Sequence, residues 1–176
     1  MAKVYVSIGS NIERDKHITA ALDALADYFG DLLISSVYES EAVGFAGDHF
    51  FNLVAGFDTQ LSVGELSALL QDVEHRNGRM RSEIRFSGRT LDIDILTYGD
   101  CHGVFDGITL PRAEILHNAF VLLPLAEIAP TFEHPLEHKT CARLWQAYER
   151  NQKLWKVDFI WRGRAISIAG SKVEDT

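Results

Sequence analysis

Apolar residues in this chain alternate between a strand period and a helix period, and the order of the switches leaves few folds open. Val4–Ile8 is β-rich and ends in Gly9-Ser10-Asn11, a turn signal. Ile18, Ala21, Leu22, Leu25 and Phe29 then recur at helical spacing and define one apolar face, with Gly30 as the expected stop. Leu32–Tyr38 reads as a strand and Glu39–His49 as a loop. Phe50–Phe57 reads as a second strand paired with Leu32–Tyr38. Ser62 and Glu65 form a capping-box pattern ahead of the buried stripe Leu66, Leu69, Leu70 and Val73, and Asn77-Gly78 should end that helix. Leu91–Tyr98 is the next strand, turned by Gly99-Asp100.

The order is therefore β-α-β-β-α-β. A sheet covered on one face by two helices is the simplest way to bury both apolar stripes, which predicts a ferredoxin-like α+β fold. Beyond it come a loop to Pro111, a helix near Asn118–Ile128, and another from an N-cap at Thr140 through Arg150. Trp155–Trp161 and Ala165–Ala169 around Arg162-Gly163-Arg164 read as a C-terminal hairpin. No repeat or low-complexity linker interrupts the 176 residues, so the expectation is one domain over 1–176.

The net charge of −8 argues against nucleic-acid binding through overall charge. No apolar run approaches the roughly 18 residues that span a bilayer, and the N-terminus is too poor in apolar residues for a signal peptide. The two cysteines, Cys101 and Cys141, make no disulfide framework. The expectation is a cytoplasmic protein with no membrane association; nothing specifies a protein partner.

One segment concentrates chemistry. Alternate residues of a strand point to one face, so Asp92 and Asp94 present two carboxylates side by side while Ile93 faces the core. Such carboxylates, about 7 Å apart, repel unless a cation sits between them. Hard oxygen ligands suit Mg²⁺, which takes phosphate oxygens as further ligands. Arg79, Arg81, Arg85 and Arg89 lead into this pair within eleven residues, and arginine forks suit phosphate. Together these groups are what a magnesium–polyphosphate needs. His134, His138 and Cys141 imitate a zinc spacing but lack a fourth ligand. Gly9-Ser10-Asn11 is not a phosphate-binding P-loop, because no Gly-Lys-Ser/Thr follows.

Gly9-Ser10-Asn11, Asn52, and the run Gly88-Arg89-Thr90-Leu91-Asp92-Ile93-Asp94-Ile95-Leu96 resemble the 6-hydroxymethyl-7,8-dihydropterin pyrophosphokinase family of folate biosynthesis. The similarity runs from about Val4 to Ala129 and more weakly to about Asp158. The resemblance implies a ferredoxin-like fold with extra C-terminal helices. It also implies ATP as co-substrate, two Mg²⁺ ions on Asp92 and Asp94, and transfer of the β,γ-pyrophosphoryl unit to a pterin. By the same resemblance Arg81 and Arg89 join the two aspartates as catalytic candidates. Gln71, Glu74, Arg79, Arg81, Arg85, Arg89, Ile95 and Thr109 form the nucleotide side, and Arg112 is a further nucleotide-side candidate at a position that departs from the family. Asn52 matches the side chain that reads the pterin edge. Phe120 and Phe50 match the aromatics that sandwich the ring, and Ser40 and Val43 match backbone contacts to it.

The chain departs from the family pattern around the phosphates. Arg112 stands where a histidine is usual, Asn118 and Gly107 where arginines are usual. Gly88 replaces a proline, Phe86 a tryptophan and Glu41 a proline. Each lost charge-assisted phosphate contact would cost roughly 1.5–3 kcal/mol, and Arg112 is the candidate replacement. A non-catalytic ferredoxin-like interaction module, or a divergent enzyme with a different acceptor, are the competing expectations.

Overall fold

The computed structural model describes residues 1–41, 48–78, 91–149 and 152–170. Val43, Arg79, Arg81, Arg85 and Arg89 lie outside the described residues. The elements run β1 (Ala2–Ser10), α1 (Arg14–Phe29), β2 (Leu33–Ile34), β3 (Val37–Ser40), β4 (Phe50–Thr59), α2 (Val63–Arg76), β5 (Asp92–Tyr98), β6 (Gly103–Phe105) and β7 (Ile108–Leu110). They continue α3 (Glu114–His117), α4 (Ala119–Ile128), α5 (Cys141–Gln146), β8 (Leu154–Val157), β9 (Phe159–Trp161) and β10 (Arg164–Ser167).

The main sheet has the order β5-β1-β4-β3-β8, with β2 beside β4. Without β8 this is the ferredoxin-like order, so the expected α+β fold is what forms. Its β1, β4 and β5 pair antiparallel. One face packs on α1 and α2: Val4, Val6, Ile8, Leu53, Ala55, Phe57, Ile93 and Ile95 meet Ile18, Leu22, Leu25, Leu66, Leu70 and Val73. The stripes read from the sequence are thus the buried ones. The C-terminal helices cover part of the other face, where Tyr5, Val54 and Leu96 pack with Ile115, Val121, Leu122 and Leu125. This two-sided cover explains why β4 is buried along almost its whole length.

The helix signals hold at atomic detail. Glu65 N donates to Ser62 Oγ at 3.1 Å and Ser62 N to Glu65 Oε1 at 3.0 Å. Thr140 Oγ1 accepts from Arg143 N at 3.2 Å. Gly30 follows α1 at φ 76°, a conformation glycine takes without a Cβ clash.

Four boundaries differ from the sequence expectation. Leu32–Tyr38 is two short strands, because Ser35 and Ser36 turn to other partners. Ser35 Oγ accepts from Val54 N, and Glu127 accepts from both Ser36 N and Ser36 Oγ. The stretch before Pro111 holds the hairpin β6–β7, whose two-residue turn Asp106-Gly107 has φ of 51° and 81°. The helix after Thr140 ends at Gln146 rather than running through Arg150. The tail is split at Asp158: β8 joins the main sheet against β3, and only β9 pairs with β10 around Arg162-Gly163. That hairpin is pinned to α1 by Trp161 Nε1 and Arg162 Nε, which both donate to Asp23. Among the described residues, no helix is long and apolar enough to cross a membrane.

Candidate active site

Register places the expected residues on one surface. Gly9 is opposite Asp92 on one side and Asn52 on the other, and Asn52 is opposite Tyr38. Residues directly opposite in an antiparallel ladder share a face. Asp92, Gly9, Asn52 and Tyr38 therefore form a row across four strands. Asp94, Ser7 and Val54 form the adjacent row. Ile93 lies 2 % exposed on the opposite face, in the core beneath α1 and α2. The alternation that separates the aspartates from Ile93 is the one expected from the sequence.

Glycine at position 9 keeps this floor low. A Cβ there would lie 3.4 Å from Asn52 Oδ1 and 3.8 Å from Phe50 Cδ1, in ordinary contact with both, so the glycine leaves that space between them open. Asn52 is buried, and its Nδ2 donates to Ser40 Oγ at 2.8 Å and to Tyr38 O at 3.4 Å. That leaves the Oδ1 acceptor turned toward Gly9. Phe50 stands on the same face as Asn52, two residues earlier on β4. Phe120, on α4, packs against the cluster containing Tyr38, Ala119 and Leu154. Both aromatics thus border the surface that carries Asn52. Tyr38 itself donates to Glu127 Oε1 at 3.1 Å, and burial followed by the Glu127 carboxylate raises its pKa far above the ordinary phenol value.

Next to Asp94 stands Arg112. Its Nη2 is 3.5 Å from Asp94 Oδ1, and its Nε donates to Glu114 Oε2 at 3.0 Å. Its backbone N donates to Leu96 O at 2.9 Å. Leu96 is the extra residue where the β1–β5 register shifts, so this bulge offers its carbonyl to the incoming chain. Burial lowers the pKa of Arg112, but Asp94 and then Glu114 outweigh it and hold the guanidinium above its usual value. Sequence reasoning named Arg112 but missed Glu114; an acid two residues after the arginine was the available signal.

The nucleotide-side positions are spread more widely. Glu74 is fully buried near the end of α2, and its Oε2 accepts from Ile93 N at 2.8 Å. Gln71 is exposed on the same helix and donates to Ser67 Oγ at 3.3 Å. Ile95 is 5 % exposed with its side chain in the core, so any ligand contact there is through its backbone. Thr109 is exposed on β7. Gly107 occupies a left-handed turn position that an arginine would fill only with strain, which gives a local reason for the missing charge.

Three other features stand apart from this surface. His134 Nδ1 accepts from the backbone N–H groups of Leu136 and Glu137, so this ring nitrogen is engaged in a turn. Burial pushes the Cys141 thiol up to about 11. An open cavity of about 830 Å³, lined by Arg14, Glu39, His49 and Phe51 among others, contains none of the expected site residues. Its Phe51 points away from the face of Asn52.

The profile described as 7,8-dihydro-6-hydroxymethylpterin-pyrophosphokinase (HPPK) matches residues 5–130. A Pseudomonas aeruginosa protein named 2-amino-4-hydroxy-6-hydroxymethyldihydropteridine pyrophosphokinase is 39% identical over 142 residues, covering 76% of this chain and 84% of the relative. The chain belongs to the HPPK family.

An Aquifex aeolicus HPPK of the same name is 35% identical over 141 residues, covering 79% of this chain and 88% of that protein. Among solved structures, a Plasmodium falciparum HPPK–DHPS chain superposes with a TM-score of 0.66 at 13% identity, over 84% of this chain. At that identity the likeness bears on the fold alone. This chain spans 44% of the length of that larger protein. The HPPK match ends at residue 130, so α5 and the β8–β10 segment lie beyond it.

Proposed function

We infer that this chain transfers the β,γ-pyrophosphoryl unit of ATP to the hydroxymethyl oxygen of 6-hydroxymethyl-7,8-dihydropterin, a step of folate biosynthesis. The hydroxymethyl oxygen gives up its proton to solvent and attacks the β-phosphorus, the bond from that phosphorus to the oxygen of the α-phosphate breaks, and AMP leaves with that oxygen. The observation that carries the assignment to this surface is the cross-strand row of Asp92, Gly9 and Asn52. It sets a metal-type carboxylate and a hydrogen-bonding amide on one face, with only a glycine between them.

Asn52 Oδ1 is an acceptor held by the Nδ2 contacts to Ser40 and Tyr38, and it suits the ring N–H and amino donors of a pterin. Phe50 and Phe120 border the same surface and suit the two faces of a flat heterocycle. Ser40, and Val43 beyond the described residues, would complete the pterin side. Arg112 offers a fork to phosphate oxygens, together with Arg79, Arg81, Arg85 and Arg89 from outside the described residues. Gln71, Glu74, Ile95 and Thr109 are the remaining nucleotide-side positions in this proposal.

Asp92 and Asp94 fit Mg²⁺ by donor chemistry. Both are hard oxygen donors on one face, and Asp94 is partly exposed. Among the described residues no group of three or more His, Cys, Asp or Glu is placed to hold a metal ion. The remaining ligands would be water and phosphate oxygens, as Mg²⁺ prefers. A pair of Mg²⁺ ions held there would lower the pKa of the pterin hydroxyl and offset charge on the bridging oxygen. Pairing of β8 with the main sheet supports residues 1–176 as one domain, and ATP use suits a cytoplasmic setting.

The test is Asp94→Ala in single-turnover transfer with saturating ATP, Mg²⁺ and pterin. The rate should fall about a hundred- to a thousandfold, the scale of a lost transition-state charge contact. A wild-type rate would remove Asp94 from the metal assignment.

A further inference from the structure

We propose that Arg112 competes with a divalent cation for the carboxylate of Asp94, so that its release couples metal binding to triphosphate binding. The inference rests on the reading of Asp94 as a metal ligand.

Three contacts define the device. Arg112 Nη2 is 3.5 Å from Asp94 Oδ1, Arg112 Nε is 3.0 Å from Glu114 Oε2, and Arg112 N is tied to Leu96 O at 2.9 Å. The backbone tie fixes the root of the side chain beside β5, two residues beyond Asp94. The guanidinium therefore stays near Asp94 whichever partner it takes. The Arg112 side chain is 34% exposed and that of Asp94 26%, so the guanidinium can turn toward a ligand without leaving a buried pocket.

The charges decide the direction of the coupling. A bare cation arriving at Asp94 meets a guanidinium on the same carboxylate, and the two like charges repel. A triphosphate changes the balance, because its oxygens accept from the same planar fork. Arg112 then exchanges one anion for another and no longer opposes a cation at Asp94. By linkage, the factor by which the nucleotide tightens cation binding equals the factor by which the cation tightens nucleotide binding.

Glu114 sets the resting position. It holds Arg112 by the shorter of the two contacts and draws charge away from Asp94. Neutralising Glu114 should therefore move Arg112 further onto Asp94. Removing Arg112 and neutralising Glu114 should act in opposite directions, which a merely structural role for either residue does not produce.

The experiment is calorimetric titration of Mn²⁺ into wild-type protein, Arg112→Gln, Glu114→Gln and Asp94→Ala. Each is measured alone and with a non-transferable ATP analogue, with circular dichroism to establish folding. Partly exposed ion pairs set the scale at about two- to fivefold. Arg112→Gln should bind Mn²⁺ that much tighter without nucleotide, and the analogue should tighten it less than it does wild type. Glu114→Gln should bind more weakly. The proposal is overturned if Arg112→Gln gains no Mn²⁺ affinity while Asp94→Ala still weakens Mn²⁺ binding in the analogue complex; the metal reading then survives. If Asp94→Ala binds Mn²⁺ as wild type does in both states, the metal reading and the competition fall together.

Discussion

Glu74 Oε2 accepts a 2.8 Å hydrogen bond from Ile93 N, joining the end of α2 to the residue between the two aspartates. Ile93 lies on β5, at one end of the main sheet order, with β1 on its inner side. The Glu74 carboxylate thus takes an edge donor that sheet pairing does not. It fixes the strand from one face while Asp92 and Asp94 project from the other.

Glu74→Ala should leave that buried N–H without an acceptor. The expected loss is about 1–3 kcal/mol, or several degrees in Tm for a chain of this size. Turnover should fall as well, because the spacing of the aspartates is set by this strand. Glu74→Gln keeps an acceptor and should retain more of both. Thermal melts and kcat for the two variants check this; equal stability for alanine and wild type would show that the bond is not needed.

Asn52→Ala removes the Oδ1 acceptor and the tie to Ser40. The pterin KM should rise roughly tenfold, the equivalent of one net hydrogen bond. The KM for ATP should stay near wild type, since Asn52 is placed on the pterin side. Steady-state kinetics with each substrate varied distinguishes the two. A rise in the ATP KM alone would reverse the assignment of this end of the row.

His134 predicts a pH dependence of stability. Burial lowers its folded-state pKa below the ordinary 6.5; Glu137 acts the other way and His138 in the same direction. Its Nδ1 is already an acceptor for two backbone N–H groups, so protonation there conflicts with the turn. Below about pH 6.5 the unfolded chain binds a proton that the folded chain resists. This contribution is therefore intact above that pH and is lost as pH falls toward the folded-state value. Its slope is at most about 1.4 kcal/mol per pH unit for one proton. Denaturant melts from pH 7.5 to 5.5 should show a weaker pH dependence in His134→Asn, which can still accept from the turn. The same slope in both proteins would exclude His134 as the source.

Much of this architecture is written locally in the sequence. The capping box at Ser62 and Glu65, the stripes of α1 and α2, and the alternation that puts Asp92 and Asp94 opposite Ile93 all depend on near neighbours. The hairpin at Asp106-Gly107 carried the same kind of signal as Arg162-Gly163, which was legible; the short flanking strands hid it. Other features depend on distant partners. The break at Ser35-Ser36 follows from Glu127 on α4, and β8 joins the sheet only because β3 offers its edge. The cross-strand row of Asp92, Gly9 and Asn52 needs the register of three strands, which no local pattern supplies. The contact of Arg112 with Asp94 depends on the bulge at Leu96, and nothing near either residue announces it.

The most direct measurement of the central claim is product analysis with ATP, Mg²⁺ and 6-hydroxymethyl-7,8-dihydropterin. The account predicts AMP and the pterin diphosphate in equal amounts, with no AMP formed when the pterin is left out. ADP with a pterin monophosphate, or AMP release that does not depend on the pterin, would contradict it.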